Sequence, residues 1–357
     1  AQGAMSYSGT VPFGNSQYTS GGAAEAARTS LIAKWGVITD GGAVPVPLTI
    51  SVKTDNVGTS NNDQFTLPMV GTYDVDWGDG NIDLAQTGTQ THTYSIAGTY
   101  DVSVKNAERI YFNNVGDSLK LLEIKSWGNS NPWTTFVNAF YGCVNMDVTA
   151  TDSIDFSSMS PIGNQLQSMF FNCTSLVNAN QSINTWDVSS LKKFITLFYQ
   201  CTNFNSPLNN WDTGNVDDMQ AMFYNSGFNQ DISSWDVSSV VSAFNMFFRS
   251  DYNQSLAGWD LSSMSAMYSM LRQTPFDQDL SSWNVTGVTS MGGLLQDSTL
   301  STANYDSTLI AWDAQGAMSY SGTFNFGNSK YTLGGAAEAA RTSLIAKWGA
   351  IIDGGGV

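Results

Sequence analysis

The sequence has few charged residues, and most of those it has are acidic. Only 12% of its 357 residues are charged, which is about half the usual share. The formal net charge is −16, with 14 Lys and Arg against 30 Asp and Glu. Because phosphate backbones and anionic lipids attract basic surfaces, we expect no nucleic-acid partner and no binding to anionic membranes.

Long apolar runs and the usual catalytic motifs are also missing. No run of about 18 apolar residues occurs, so membrane insertion is not expected. The sequence contains one histidine, His92, and it lacks the G-x-S-x-G, H-E-x-x-H and P-loop patterns. A catalytic nucleophile needs a nearby general base, and His92 is the only histidine in the sequence that could serve as one. We therefore expect a protein that is not an enzyme and that needs no organic cofactor.

What the sequence does contain is repetition on two scales. Residues 1–44 and 314–357 both begin AQGAMSYSGT and are identical at 37 of 44 positions, at an offset of 313. Near-identity over this length predicts one unit of a tandem array, in which adjacent identical units of the same chain are partners. The number of units is left open.

The short repeat is marked by tryptophan. Five Trp residues are spaced by 25, 24, 24 and 24 positions: Trp186, Trp211, Trp235, Trp259 and Trp283. Apolar residues follow each Trp at spacings that fit one face of a short helix, and segments such as NQDISSW alternate as a short strand would. A unit this short cannot bury its apolar side alone, so the pattern predicts an α/β solenoid with the Trp residues in its core.

The repeats divide the chain into four predicted parts. The solenoid covers 107–300, with irregular repeats over 107–185, and its C-terminal cap covers 301–357. Residues 1–44 are interpreted as the end of the cap of a preceding unit. Residues 45–106 contain strand-like alternation and Gly turns, which predict a small β-sandwich.

Cysteine is sparse, with only Cys143, Cys173 and Cys201. An odd and small number argues against a disulfide framework. Cys173 and Cys201 stand where later repeats have Ser or Thr, so they are interpreted as small residues at a turn. Whether these two form a disulfide is left open.

One resemblance concerns residues 45–106. The segments YDVDWGDGN (73–81) and HTYSIAGTYDVSVK (92–105) resemble the polycystic-kidney-disease (PKD) domain. This implies an immunoglobulin-like spacer or binding module of an extracellular protein. The resemblance also implies a structural hydrogen-bonding role for His92.

The 24-residue repeat carries a second resemblance. FNQDISSWDVSSV (228–240) is similar to the BspA-like leucine-rich repeat, also known as the DUF285 family, and the likeness covers roughly 107–300. The cap resembles the segment that follows such repeats in surface proteins of Bacteroidota. A tandem array of these units resembles the giant adhesins of gliding bacteria, which implies an extracellular cell-surface location and type 9 secretion.

Three sets of residues are candidate sites. Carboxylates around a tight turn could bind Ca²⁺, although Asp79 could simply cap the turn: Asp74, Asp76, Asp79 and Asp83. Polar residues between the core positions of the repeat are expected to face solvent, so they are candidates for binding a ligand: Gln230, Asp231, Gln254 and Gln278. Asp-Ser pairs are candidates for O-linked sugars: Ser118, Ser153, Ser298 and Ser307. Ser298 lies at a core-adjacent position of the repeat, and Ser118 and Ser307 are preferred.

Together these features predict a non-enzymatic extracellular adhesin or surface filament. Repetition would give multivalent attachment to a polysaccharide, a host protein or an abiotic surface. The alternatives are an accessory module of a secreted carbohydrate-active enzyme and a purely mechanical stalk. The ligand itself is not readable from the sequence.

Overall fold

The computed structural model describes residues 9–12, 16–18, 23–39, 45–157, 159, 165–316 and 319–357. In that part of the chain the helices are α1 (Ala23–Trp35), α2 (Thr302–Asp313) and α3 (Ala336–Trp348). The strands are β1 (Gly9–Pro12), β2 (Gly36–Thr39), β3 (Leu48–Lys53), β4 (Gln64–Leu67), β5 (Met69–Val70), β6 (Thr72–Asp76), β7 (Ile82–Thr87), β8 (Gln90–Thr93), β9 (Thr99–Lys105), β10 (Arg109–Ile110), β11 (Leu121–Ser126), β12 (Asp147–Val148), β13 (Gly322–Asn325) and β14 (Gly349–Ile352). None of the described helices has the length and apolar character needed to span a bilayer.

A six-stranded sheet dominates the N-terminal half. Its strand order is β12-β11-β3-β9-β6-β7, while β4 pairs with β8 and β5 pairs with β10. Alternation along β3 and β9 places Ile50, Val52, Val102 and Val104 in the core, as expected for strands with one buried face.

The sheet does not end at residue 106. Strand β11 pairs antiparallel with β3, and β12 pairs parallel with β11. Leu121 and Ile124 of β11 are fully buried, so the strand adds to the same core. The boundary predicted at 106/107 is therefore crossed by continuous strand pairing.

From Asn138 onward the chain forms coils stacked in parallel, with the Asn138 and Phe140 N–H groups donating to Gln167 and Met169 of the next coil. Isolated parallel bridges join each coil to the next at one position: Gln165, Lys193, Asp218, Ser242, Ala266 and Ser290. Alternate backbone N–H groups also donate to the next coil, as from Phe194 to Asp218 at 2.9 Å and from Phe198 to Met222 at 2.9 Å. We call these segments the turn ribbons: 193–200, 218–225, 242–249, 266–273 and 290–297.

The short helix predicted in each repeat is wrong for these coils. Each turn ribbon is a series of tight turns, with Leu197 N–H donating to Phe194 at 3.2 Å and Cys201 N–H donating to Phe198 at 3.2 Å. Thr196 and Gln200 have φ of 52° and 58°, which a helix does not allow. A helix would also direct every N–H along its own axis, whereas here alternate N–H groups bond to the neighbouring coil.

The strand predicted in NQDISSW is also absent, since residues 229–235 form an irregular segment and a turn. By contrast, the core role predicted for the five repeat Trp side chains is confirmed, because none is more than 3% exposed. The indole Nε1 of Trp235 donates to Leu208 of the preceding coil at 2.9 Å. Trp211, Trp259 and Trp283 make the equivalent bond.

The C-terminal segment continues the stack. Leu295 N–H in the last turn ribbon donates to Asn325 of β13 at 3.2 Å, and β13 pairs parallel with β14. Helix α2 packs on α3. Strands β1 and β2 pair in the same parallel register, shifted by 313 positions.

Candidate functional site

The most distinctive surface feature is a row of closely packed aromatic rings on the outer side of the coils, in which the first pair is tilted and the other three pairs are stacked. We call it the aromatic ridge: Tyr141, Phe171, Tyr199, Tyr224 and Phe248. Successive ring centroids lie 4.4, 4.2, 4.3 and 4.8 Å apart. Each ring is partly exposed, so the row presents ring edges and phenol groups to solvent.

The ridge follows from the coil register. Each of its residues comes directly after a fully buried Phe, as Tyr199 follows Phe198 and Phe248 follows Phe247. Parallel stacking in register then aligns both columns, one inside the core and one outside. A stacked aromatic pair contributes roughly 0.5–1.5 kcal/mol beyond its buried area, so the ridge also stabilises the coils.

Burial raises the pKa of the Tyr199 phenol to about 12, and its neighbour Tyr224 adds to the shift, so this phenol stays neutral at physiological pH. The tyrosines of the ridge offer hydroxyl donors and acceptors next to apolar ring edges. Such a surface can contact an extended, uncharged partner that lies along the stack.

One end of the ridge is cationic. The guanidinium groups of Arg249 and Arg272 each lie 5.3 Å from the ring centroid of Phe248. Arg272 also pairs with Asp297 at 3.2 Å, and Arg249 Nε donates to Gln273 at 2.6 Å. The charges are thus fixed by neighbours on the same surface.

The glutamines predicted to face a ligand hold the coils together instead. Gln230, Gln254 and Gln278 are half-buried, and each Nε2 donates to the side-chain oxygen of an Asn one coil earlier. The Asn oxygens also accept a backbone N–H from the next coil, as Asn229 does from Asn253 at 2.8 Å. Asp231 is exposed, and its carboxylate accepts the N–H of Ser233 at 2.9 Å.

Replacing Asn229 by Ala is therefore expected to destabilise the protein by about 1–3 kcal/mol, because Asn253 N–H loses its acceptor. The measurement is the midpoint of urea unfolding followed by circular dichroism. Gln230→Ala is the matched control, since it removes one side-chain donor and leaves the backbone N–H satisfied. Equal losses in the two variants would show that the Asn column has no special role.

The four carboxylates predicted to bind Ca²⁺ each have a separate protein partner. Asp74 accepts Ala85 N–H at 2.9 Å, Asp76 accepts Gly78 N–H at 2.9 Å, and Asp83 accepts Trp77 Nε1 at 2.8 Å. Asp79 lies 2.9 Å from His92 Nε2. Among the described residues, no group of three or more His, Cys, Asp or Glu side chains is arranged to hold a metal ion.

His92 belongs to a packed aromatic cluster. Its ring stacks on Trp77 at 4.8 Å and meets the edge of Tyr94 at 4.6 Å. Tyr94 Oη donates to the carbonyl of Trp77 at 3.1 Å. Burial of Asp79 opposes its ionisation, but hydrogen bonds from His92 and Asn81 hold its pKa below the usual value. These contacts link the WGDG turn to β8.

The serines predicted to carry sugars differ in exposure. Ser118 and Ser298 are only 5% and 3% exposed, so a glycan cannot reach either hydroxyl in the folded protein. Ser153 is exposed and bonds to Thr185 at 3.0 Å, while Ser307 is half-buried and donates to Asp279 at 3.2 Å. Of the preferred pair, only Ser307 is accessible.

The three cysteines are free and fully buried. Burial raises the pKa of all three thiols, which keeps them protonated and unreactive. Cys173 and Cys201 each donate to a carbonyl of the preceding coil, those of Phe140 and Phe170. The disulfide left open between them is not formed.

Sequence reasoning missed the aromatic ridge. Its signal is a pair of adjacent aromatic residues after each of the first three repeat Trp residues, seen as FY at 198–199 and 223–224 and as FF at 247–248. A helical interpretation places both residues of such a pair near one buried face. Only the turn geometry, which alternates directions residue by residue, points one ring inward and the next outward.

Comparison with known proteins identifies a family for the coils. A model described as "Mycoplasma protein of unknown function, DUF285" matches residues 134–256 and 248–332. No curated protein and no solved structure matches the chain. The matched segments overlap and together span 134–332, which is more than half of the chain. The protein therefore belongs to the DUF285 family.

Proposed function

We propose that this protein is a non-enzymatic extracellular adhesin or surface filament in which the stacked coils form a solenoid. The single observation behind the proposal is the aromatic ridge, because it is an unbroken outward row of five rings. A catalytic centre needs convergent groups in a cleft, whereas a row of repeated contacts suits attachment to an extended surface.

The proposal extends to architecture and location. Residues 45–106 would be a PKD-type immunoglobulin-like sandwich that spaces the coils from a neighbouring unit. Tandem units of about 313 residues, the offset between the two copies, would multiply weak single-unit binding into strong avidity. The acidic, Lys-poor composition and the resemblance to Bacteroidota surface proteins favour a cell-surface location and type 9 secretion.

The mode of attachment is lateral. Ring edges of the ridge recur at about one strand spacing, roughly 4.8 Å, so a polymer or flat surface along the stack meets an aromatic ring at each of the five coils of the ridge. Polysaccharide, a host protein and an abiotic surface all meet this description. Among these, an uncharged polysaccharide suits the mixed apolar and hydroxyl character of Tyr141, Tyr199 and Tyr224.

The double variant Tyr199→Ser/Tyr224→Ser is expected to lower binding roughly tenfold, because two central ring contacts are lost, each of about 0.5–1.5 kcal/mol. Binding is measured by co-sedimentation with insoluble cellulose or chitin and by adsorption to glass. Val241→Ser is the matched control, since Val241 is exposed at 48% and does not belong to the ridge.

The outcomes separate the alternatives. Loss of binding in the ridge variant alone supports attachment through the ridge. Equal binding by the wild type and both variants overturns the role of the ridge. If the wild-type protein binds none of these materials, the mechanical stalk becomes the better proposal. Binding only when a carbohydrate-active enzyme is fused to the chain would favour the accessory module.

A further inference from the structure

The aromatic ridge contains a place where two tyrosines are direct neighbours. Tyr199 and Tyr224 belong to successive coils, with ring centroids 4.3 Å apart and ring planes 8° from parallel. Tyr141, the other tyrosine of the ridge, lies against Phe171, and the coil after Tyr224 presents Phe248. At this point of the ridge, two phenol groups therefore lie against each other.

The backbone holds the two tyrosines in register. The N–H groups on either side of Tyr199 both donate to the next coil, from Phe198 to Met222 at 2.9 Å and from Gln200 to Tyr224 at 2.7 Å. Two groups that are held in contact react far faster than the same groups free in solution. The fold thus prepares this pair for a reaction between the rings.

The hydroxyl groups of the pair are also joined. Burial raises the pKa of the Tyr199 phenol, and a hydrogen bond with the Tyr224 hydroxyl adds to the shift. Because the hydroxyls meet, the two rings point the same way, and the ring carbons ortho to each hydroxyl lie side by side. Both rings are partly exposed, so a soluble oxidant can reach their edges.

We propose that Tyr199 and Tyr224 form a crosslinking site, at which a peroxidase and hydrogen peroxide join the two rings as dityrosine. Each phenol gives up one electron and its hydroxyl proton. The two phenoxyl radicals form a carbon–carbon bond between their ortho carbons, and the hydrogens on those carbons move to the oxygens, which restores both hydroxyls. The two electrons and two protons convert one hydrogen peroxide into two molecules of water.

The new bond would brace the stack of coils. It ties the turn ribbons 193–200 and 218–225, which are otherwise held by hydrogen bonds and packing, and it closes a loop of 25 residues. A closed loop restricts the unfolded chain, so the crosslinked protein is expected to unfold at a higher urea concentration. The reaction needs no bound ligand, so it goes beyond the proposed attachment.

A second pair of tyrosines provides a matched comparison. Tyr94 and Tyr100 are stacked with ring centroids 3.9 Å apart, which is closer than the ridge pair. Tyr94 is only 1% exposed, and the two hydroxyls donate to different carbonyls, those of Trp77 and Ile96. We expect no coupling here, because the pair lacks both access for the oxidant and the contact between hydroxyls.

The test treats the dilute full chain with a haem peroxidase and hydrogen peroxide and follows the fluorescence of dityrosine. Digestion at aspartate separates the two ridge tyrosines, since Asp212, Asp217 and Asp218 lie between them. Mass spectrometry is expected to find the Tyr199 and Tyr224 peptides linked, at a mass two hydrogens below their sum. The protein itself is expected to stay at the mass of one chain.

Conservative variants locate the reaction. Tyr199→Phe and Tyr224→Phe each keep a ring in the ridge but lack the phenolic hydrogen, so each is expected to lose most of the fluorescence. Tyr100→Phe removes the comparison pair and is expected to leave the fluorescence unchanged. The oxidised wild type should also unfold at a higher urea concentration than oxidised Tyr199→Phe.

Three results would overturn the site: no linked peptides in the wild type, loss of fluorescence in Tyr100→Phe instead of the ridge variants, or a product at the mass of two chains. A crosslinked protein that unfolds at the same urea concentration as oxidised Tyr199→Phe would overturn the bracing role. None of these measurements involves a polysaccharide or a surface, so the proposed function is tested separately.

Discussion

Replacing Asp117 by Ala is expected to destabilise the protein by about 3–5 kcal/mol, because backbone N–H groups of the loop 59–66 lose a charged acceptor and the buried Lys120 loses a nearby negative charge. Asp117 is 1% exposed and Lys120 is 0% exposed. The Asp117 carboxylate accepts N–H groups of Ser60 at 3.0 Å and Thr66 at 2.7 Å. Lys120 Nζ donates to carbonyls of the same loop, including Gln64 at 2.9 Å. Urea unfolding followed by circular dichroism measures the loss.

The contribution of Asp117 should also appear in the pH dependence of the protein's stability. Burial opposes ionisation of Asp117, but hydrogen bonds from Ser60 and Thr66 and the charge of Lys120 hold its pKa below the usual value. A lowered pKa stabilises the folded state above the unfolded-state value, near 3.9, and the stabilisation is lost as the pH falls through the folded-state value. The wild type should therefore show a steeper loss of stability below about pH 4 than Asp117→Ala does.

The double variant Asp117→Ala/Lys120→Met is the control for this interpretation. It removes both charges and keeps an apolar stem in place, so it should recover part of the loss seen in Asp117→Ala. An Asp117→Ala protein as stable as the wild type would show that the loop 59–66 is held by its backbone contacts alone.

Replacing Trp235 by Ala is expected to cost about 3–5 kcal/mol, the usual range for a large buried ring. The Trp235 ring stacks on Trp211 with centroids 6.2 Å apart and an interplanar angle of 3°. It also lies 6.4 Å from Phe223, and its Nε1 bonds to Leu208. The cavity would lie between adjacent coils, where each coil depends on its neighbours.

Trp235→Phe is the matched comparison, because it keeps a ring in the column and removes only the hydrogen bond and part of the volume. A loss of about 1–2 kcal/mol is expected for it. The measurement is the urea midpoint followed by circular dichroism. If the two substitutions cost the same, the hydrogen bond to Leu208 rather than the stack holds the coils together.

The Trp column could be predicted because a stacked coil repeats its core at the period of the sequence. The secondary structure of the coil could not be predicted in the same way. Spacings of three are produced by a helix and also by consecutive tight turns, and the difference lies in left-handed positions such as Thr196 and Ala221. These positions are occupied by Thr, Ala, Asn, Ser and Gly in successive coils, so no residue type marks them consistently.

The roles of the polar residues were harder still to predict from the sequence. Gln230 and Gln254 repeat as regularly as any binding residue would, yet their amides bond to Asn205 and Asn229. Repetition alone does not separate a side chain that contacts a ligand from one that bonds to the next coil. The pair of Asp117 and Lys120 was equally hidden, because their partners in the loop 59–66 are more than 50 positions away in sequence.

The turn ribbons bond to one another along the axis of the stack, and this has a mechanical consequence. In the stack, a coil of 24 residues adds about 4.8 Å of length, one strand spacing. Drawn out straight, the same residues reach about 80 Å. Because each coil is held mainly by the coils on either side, tension can remove coils from an end one at a time. A chain under tension can therefore lengthen many-fold by unfolding coils before any covalent bond is strained.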